Sequence, residues 1–215
     1  MESKTLLSIL FSLSFVASGK VCDKQDFIKL VQASNNKSEI MNKCPEMFLS
    51  RTEDSLSLFS WLIKTGRYEL VASILNDELY FSNLTAVEKS NFLFDTLAAD
   101  MYGYELLILL INHGADPNKS RIGNIGIIYD ALERGKIKAL LKLKKVVSQK
   151  IYFESLNIFA AIKSNNLEYV KEYFEFNGCI SVRDENGFST LDYINNYEVS
   201  SELELLVKNE WGCEK

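Results

Sequence analysis

The stretch Leu106-Leu107-Ile108-Leu109-Leu110-Ile111-Asn112-His113-Gly114-Ala115-Asp116-Pro117-Asn118 decides how this chain reads. It predicts an apolar helix with a built-in stop. Gly114 can take the left-handed conformation that closes a helix. Pro117 lacks the N–H needed to restart one in the same frame. Asp116 and Asn118 can bond nearby backbone groups within the turn.

A related logic runs through Asp184-Glu185-Asn186-Gly187-Phe188-Ser189-Thr190-Leu191-Asp192-Tyr193-Ile194, where the Ser189 hydroxyl can cap the free N–H groups of a following helix. Around these stretches a helix–turn–helix pattern recurs. Trp61-Leu62-Ile63-Lys64-Thr65-Gly66-Arg67-Tyr68-Glu69-Leu70-Val71 is one copy. Residues Leu97 to Leu106 give a second, with Gly103 one place late, and Tyr129 to Lys136 give a third, turning at Gly135. Phe159 to Val170 give a fourth, in which Asn165 replaces glycine; asparagine tolerates left-handed geometry better than other side chains. The copies recur about every 30–37 residues, and a period of this size marks stacked repeats.

Letters and spacing together resemble the ankyrin repeat, whose period is about 33 residues. His113-Gly114-Ala115-Asp116-Pro117-Asn118 is similar to the end of such a unit. Asp184 to Ile194 is similar to its opening, an Asp-x-x-Gly hairpin turn followed by Thr-Pro-Leu-His, with Ser189, Thr190 and Asp192 in place of threonine, proline and histidine. The resemblance implies an all-α solenoid of stacked helix pairs with short hairpin loops and helical caps. Repeats are expected over 51–197, an N-terminal helical cap over 20–50, and a C-terminal cap and tail over 198–215. Ala98, Ala131 and Ala161 are expected where first helices approach closely. Within the cap, Phe27, Leu30 and Val31 share one face of a helix over 24–33. A generic helical bundle is the alternative.

Residues 1–19 read as a signal peptide. Lys4 supplies the positive region, Leu6 to Val16 the apolar core, and Ala17 and Gly19 the small residues before a cleavage site. The expected compartment is periplasmic or extracellular, with no membrane insertion after cleavage. An oxidising compartment favours disulfides among Cys22, Cys44, Cys179 and Cys213. Four cysteines allow three connectivities; Cys22–Cys44 with Cys179–Cys213 is favoured, since each pair brackets one end. Zinc is the weaker reading, because no C-x-x-C is present and His113 is the only histidine.

A net charge of −5 suits neither nucleic acid nor anionic membranes, which reward basic patches, and favours protein partners, especially basic ones. No nucleophile–base constellation, metal motif or phosphate-binding glycine loop is present, so neither cofactor, metal nor catalysis is expected. A hydrolase working through Asp130 and Glu133 alone is the remaining enzyme reading. His113 sits in a turn where histidine is an ordinary structural choice.

The ankyrin resemblance implies a concave face that grips another protein. By register, Trp61, Lys64, Asp100, Met101, Asp130, Glu133, Arg134 and Lys163 fall on inner helices. Asp116, Lys119, Arg121, Arg183, Asp184 and Glu185 fall at hairpin tips. Tyr102 and Tyr104 lie beside Met101 as aromatic anchors, the residue type that dominates interfaces; Trp61 and Tyr102 equally suit packing between repeats. Export, a binding scaffold and no catalysis lead to an expected role as a monomeric immunity-type protein that neutralises a toxic effector enzyme, as in type VI secretion. A secreted effector or scaffold docking on host or envelope proteins is the alternative.

Overall fold

Successive helix pairs, each joined by a tight turn, make up the computed structural model of the chain, which describes residues 22–34, 36, 39–40, 43–44, 53–76, 84–99, 101–178 and 182–211. The described residues are mostly helical, with 12 α-helices. Helix α1 is Lys24–Ala33. The pairs are α2 (Glu53–Lys64) with α3 (Tyr68–Leu75), α4 (Ala86–Leu97) with α5 (Gly103–Asn112), and α6 (Ile127–Glu133) with α7 (Ile137–Lys144). After a short α8 (Gln149–Tyr152) come α9 (Asn157–Lys163) with α10 (Leu167–Asn177), then α11 (Thr190–Asn196) with α12 (Ser201–Trp211). Among the described residues, strands are confined to β1 (Arg121–Ile122) and β2 (Ile125–Gly126), paired antiparallel, and a single bridge between Arg183 and Ser189.

Turn chemistry sets the register. Gly66, Gly135 and Asn165 all have positive φ, each two residues past the end of a first helix. The same two bonds close each turn: Gly66 N–H to Ile63 O and Arg67 N–H to Leu62 O, repeated by Gly135 and Lys136, then by Asn165 and Asn166. This pairing satisfies carbonyls that a helix end leaves open. Counting onward, the fourth, fifth and eighth residues are buried every time: Leu70, Val71 and Ile74; Ala139, Leu140 and Leu143; Tyr169, Val170 and Tyr173. Those positions line one face of the second helix.

The second pair corrects the register expected from Gly103. Its left-handed residue is Tyr102 (φ 56°), and counting from Tyr102 restores the pattern with Leu106, Leu107 and Leu110 buried. Gly103 serves another need, since a Cβ there would lie 2.4 Å from the Thr96 carbonyl oxygen. The turn is longer than in the other four pairs, so Met101 and Tyr102 sit past the end of α4 and not on it. Ala98 is likewise displaced. It caps α4 half-buried, whereas Ala131 and Ala161 are buried within first helices as expected.

Each pair packs on the next. Among first helices, α2 meets α4, α4 meets α6, α6 meets α9 and α9 meets α11; among second helices, α3 meets α5, α5 meets α7 and α10 meets α12. The buried side chains form one continuous cluster from Phe27 to Val207. Removing that apolar surface from water is the main stabilising term, at about 25 cal/mol per Å². Side-chain bonds tie neighbours together. Ser148 N–H donates to Asn118 Oδ1 (2.9 Å) and Ser200 N–H to Asn165 Oδ1 (2.9 Å). Ion pairs Lys64–Asp95 (3.0 Å) and Lys171–Glu202 (2.8 Å) cross between pairs, though exposed pairs stabilise by only about 0–1 kcal/mol each.

The two opening stretches fold as their chemistry demands. Gly114 (φ 92°) closes α5, with its N–H bonded to Ile111 O and that of Ala115 to Leu110 O. Buried Ser90 of α4 holds the turn, accepting from Asp116 N–H (3.0 Å) while its carbonyl accepts from Ser120 Oγ (2.8 Å). His113 is a structural tie: Nδ1 donates to Leu109 O (2.8 Å), and Nε2 lies 3.2 Å from Asn76 Oδ1 at the end of α3. Ser189 caps α11, and Asp192, expected only in place of a histidine, completes a capping box by accepting from Ser189 N–H (2.7 Å).

Three regions add to the sequence reading. Where a third hairpin would fall, α8 intervenes, pinned by buried Asn157, whose amide donates to Ile151 O (3.2 Å) and Tyr152 O (3.0 Å). The segment expected as a C-terminal cap supplies α12, the second helix of the fifth pair. At the other end Asp23 caps α1, Phe27 and Val31 are buried, and Cys22 is joined to Cys44 with Cα atoms 5.2 Å apart. The signal peptide, Cys179, Cys213 and Asp100 lie outside the described residues.

Candidate functional site

Two hairpins and three first helices enclose a hollow of about 180 Å³. Asn124 and Ile125 come from the β1–β2 hairpin, and Asp184, Glu185 and Asn186 from the 183–189 turn. Tyr129 of α6, Phe159 of α9, Tyr193 of α11 and Leu156 complete the lining. Local sequence explains the two rims. Gly123 (φ 60°) allows the tight reversal between β1 and β2, and Gly187 (φ 84°) does so before Ser189. Asp184 then fixes the second rim, its Oδ1 accepting from the N–H groups of Asn186 and Phe188 (2.9 Å each).

The hollow combines rings with negative charge. Tyr193 OH donates to Asp184 Oδ2 (3.0 Å). Burial opposes ionisation of Asp184, but the bonds from Phe188 N–H, the Tyr193 hydroxyl and Asn186 outweigh it and hold its carboxyl below the ordinary value. Burial and then the Asp184 partner push the Tyr193 hydroxyl well above its usual range, and burial followed by Glu133 raises Tyr129. Phe159 and Tyr193 lie 4.7 Å apart by ring centroid, and Tyr193 and Tyr197 5.4 Å apart, with Lys163 Nζ 5.9 Å over the Tyr197 ring. Around this hollow the hairpins carry exposed apolar side chains, Ile122 (58%) and Phe188 (48%). Outward-facing residues of this kind do nothing for the core.

The residues singled out from the sequence divide among three settings. Asp184 and Glu185 line the hollow, and Arg183, beside them in the chain, donates to Gly187 O (2.7 Å). Arg121 shares one guanidinium nitrogen between both Glu154 oxygens (3.0 Å each) and gives another to Asn124 O (2.8 Å). Glu133 and Lys163 bond each other (2.7 Å), which raises the Lys163 pKa. Asp130 is buried, with Arg134 Nε 2.9 Å from both of its oxygens. Asp116 is turned into its own loop by the Asn118 amide, which lowers its pKa, with Lys119 3.6 Å away. Trp61 packs half-buried against the core, and Tyr104 is half-buried.

Met101 (59% exposed) and Tyr102 (50% exposed) stand apart, at a groove of about 480 Å³ between the first two turns. The Tyr102 ring lies 6.0 Å from Tyr68. Thus the candidates do not converge on one place. The rings of Tyr129, Phe159 and Tyr193 escaped the sequence reading. The available signal was register: Tyr129 and Phe159 each stand four residues before the end of a first helix.

Among the described residues no group of three His, Cys, Asp or Glu side chains could hold a metal ion, and no helix is long and apolar enough to cross a membrane. Comparison with protein-family models, with curated proteins and with solved structures finds no match to this chain.

Proposed function

We propose that this chain is an ankyrin-type helical-repeat module that binds another protein through the side carrying its hairpins. The carrying observation is the hollow lined jointly by two hairpins and three successive first helices. Its exposed rim of Ile122 and Phe188 supports the same reading, because apolar groups presented on projecting turns are suited to desolvation by a partner. The repeated turn bonds and the neighbour-to-neighbour packing support an ankyrin-type stack. A stable complex on this face would bury roughly 1,600 Å² in total.

The more specific proposal is an immunity-type protein that neutralises a toxic enzyme in an exported compartment. The motif-poor, binding-type sequence and its leader-like opening support it. Co-expression with the product of a neighbouring toxin gene, directed to the same compartment, tests the proposal. Survival only in the presence of this chain is expected; equal killing with and without it rejects the toxin role. For the binding face, Ile122→Asp and Phe188→Asp should abolish capture of the partner without altering the far-ultraviolet circular dichroism. Capture unchanged in both variants rejects this face.

A further inference from the structure

The geometry points to the hollow between the hairpins as a receptor for one arginine side chain of the bound protein, a claim that rests on the binding reading above. Three rings, Tyr129, Phe159 and Tyr193, share it with two carboxylates, Asp184 and Glu185. No lysine or arginine lines it. Ring faces carry partial negative charge and attract cations, most strongly where water is excluded. The rings and the carboxylates therefore point to the same kind of guest.

Local cations do not answer this demand. Lys163 is bound to Glu133 at 2.7 Å, Arg121 to Glu154 and the Asn124 carbonyl, and Arg183 to the Gly187 carbonyl. Glu185 is exposed and makes no ion pair among the described residues. Asp184 Oδ2 accepts one bond, from Tyr193, which leaves room for another donor. Guanidinium suits the site better than ammonium. It is planar, stacks on aromatic faces, sheds water more readily and presents five donors in a fixed fork.

The test uses the full chain with ¹³C-labelled tyrosine rings, titrated with N-acetyl-arginine amide and with its neutral isostere N-acetyl-citrulline amide. Lysine amide is the third probe. Arginine amide should shift the Tyr129 and Tyr193 signals saturably, with citrulline amide about tenfold weaker, the usual scale for losing a charge-assisted hydrogen bond. Glu185→Gln, which leaves the Asp184 hairpin bonds in place, should weaken arginine binding several-fold and leave citrulline unaffected. Equal responses to arginine and citrulline, or shifts confined to other tyrosines, overturn the proposal. An equal response to lysine amide overturns the choice of guanidinium. A chain that ignores arginine amide but captures its partner through Phe188 refutes the hollow alone. One that takes arginine amide yet captures no protein refutes the binding reading alone.

Discussion

Gly66 and Gly135 occupy equivalent turns with almost the same backbone, φ 66° and 61°, yet their surroundings differ. An alanine Cβ at 135 would meet nothing within 4 Å. At 66 it would lie 2.7 Å from the Met101 carbonyl oxygen and 3.0 Å from the Met101 Cβ, on the long turn of the next pair. Both substitutions incur the left-handed penalty of about 1–2 kcal/mol. Only Gly66→Ala adds a steric conflict with backbone, costing about 1–3 kcal/mol on the scale of overpacked sites. Subtracting one variant from the other cancels the shared conformational cost and isolates the contact between neighbouring turns. Urea unfolding followed by circular dichroism should place Gly66→Ala about 1–3 kcal/mol below Gly135→Ala. Equal losses, within the roughly 0.5 kcal/mol that independent sites normally show, would refute the reasoning about how those two turns meet.

Three further outcomes follow from the same contacts. Replacing both Cys22 and Cys44 by serine opens a link across a sequence separation of 22 and should cost about 3 kcal/mol in the chain-entropy model; a thermal midpoint identical to that of the oxidised parent would contradict it. Asn157→Ala removes an amide donating to two carbonyls and should cost about 2 kcal/mol, with the amides of α8 losing hydrogen-exchange protection; protection unchanged there would show that Asn157 does not pin the turn. Asp184 and Asp192 both have folded pKa values below their unfolded ones, Asp192 through the Ser189 hydroxyl and N–H. Their contribution is complete above a pH of about 4, near the unfolded value, and is lost as pH falls through the folded ones. Protection of the amides of Asn186, Phe188 and Ser189, measured against the intrinsic exchange rate at each pH, should fall below that pH, and protection unchanged down to pH 2 would count against the assignment.

Much of the architecture was legible because its signals are local. Gly66, Gly135 and Asn165 announce turns by backbone chemistry alone, and Ser189 announces a cap. Cys22 and Cys44, which bracket one segment of the sequence, are joined in the structure. The second pair misled because Gly103 carries a glycine for close approach to Thr96 and not for a positive φ, while Tyr102 takes the turn without the residue type that usually marks it. A sequence does not distinguish those two uses of glycine. Nor does it say that α8 replaces a hairpin, since Ser148 and Gln149 start a helical turn as readily as a loop. The hollow was half visible. Asp184 and Glu185 read as hairpin residues, but Tyr129, Phe159 and Tyr193 are single letters within helical segments, and only juxtaposition across three helices places them around one hollow. Asp130 shows the opposite error of outlook. It reads as an exposed acid, and in the fold it is buried against Arg134.

The principal contacts of each helix pair run to its immediate neighbours. Damage to one rung therefore stays near that rung, and substitutions several rungs apart should combine additively. The hairpin residues that face outward contribute little to this internal adhesion. Their identity is free to drift while the scaffold beneath them holds its shape; under the proposed binding role, recognition could then be rewritten one loop at a time without renegotiating the whole architecture.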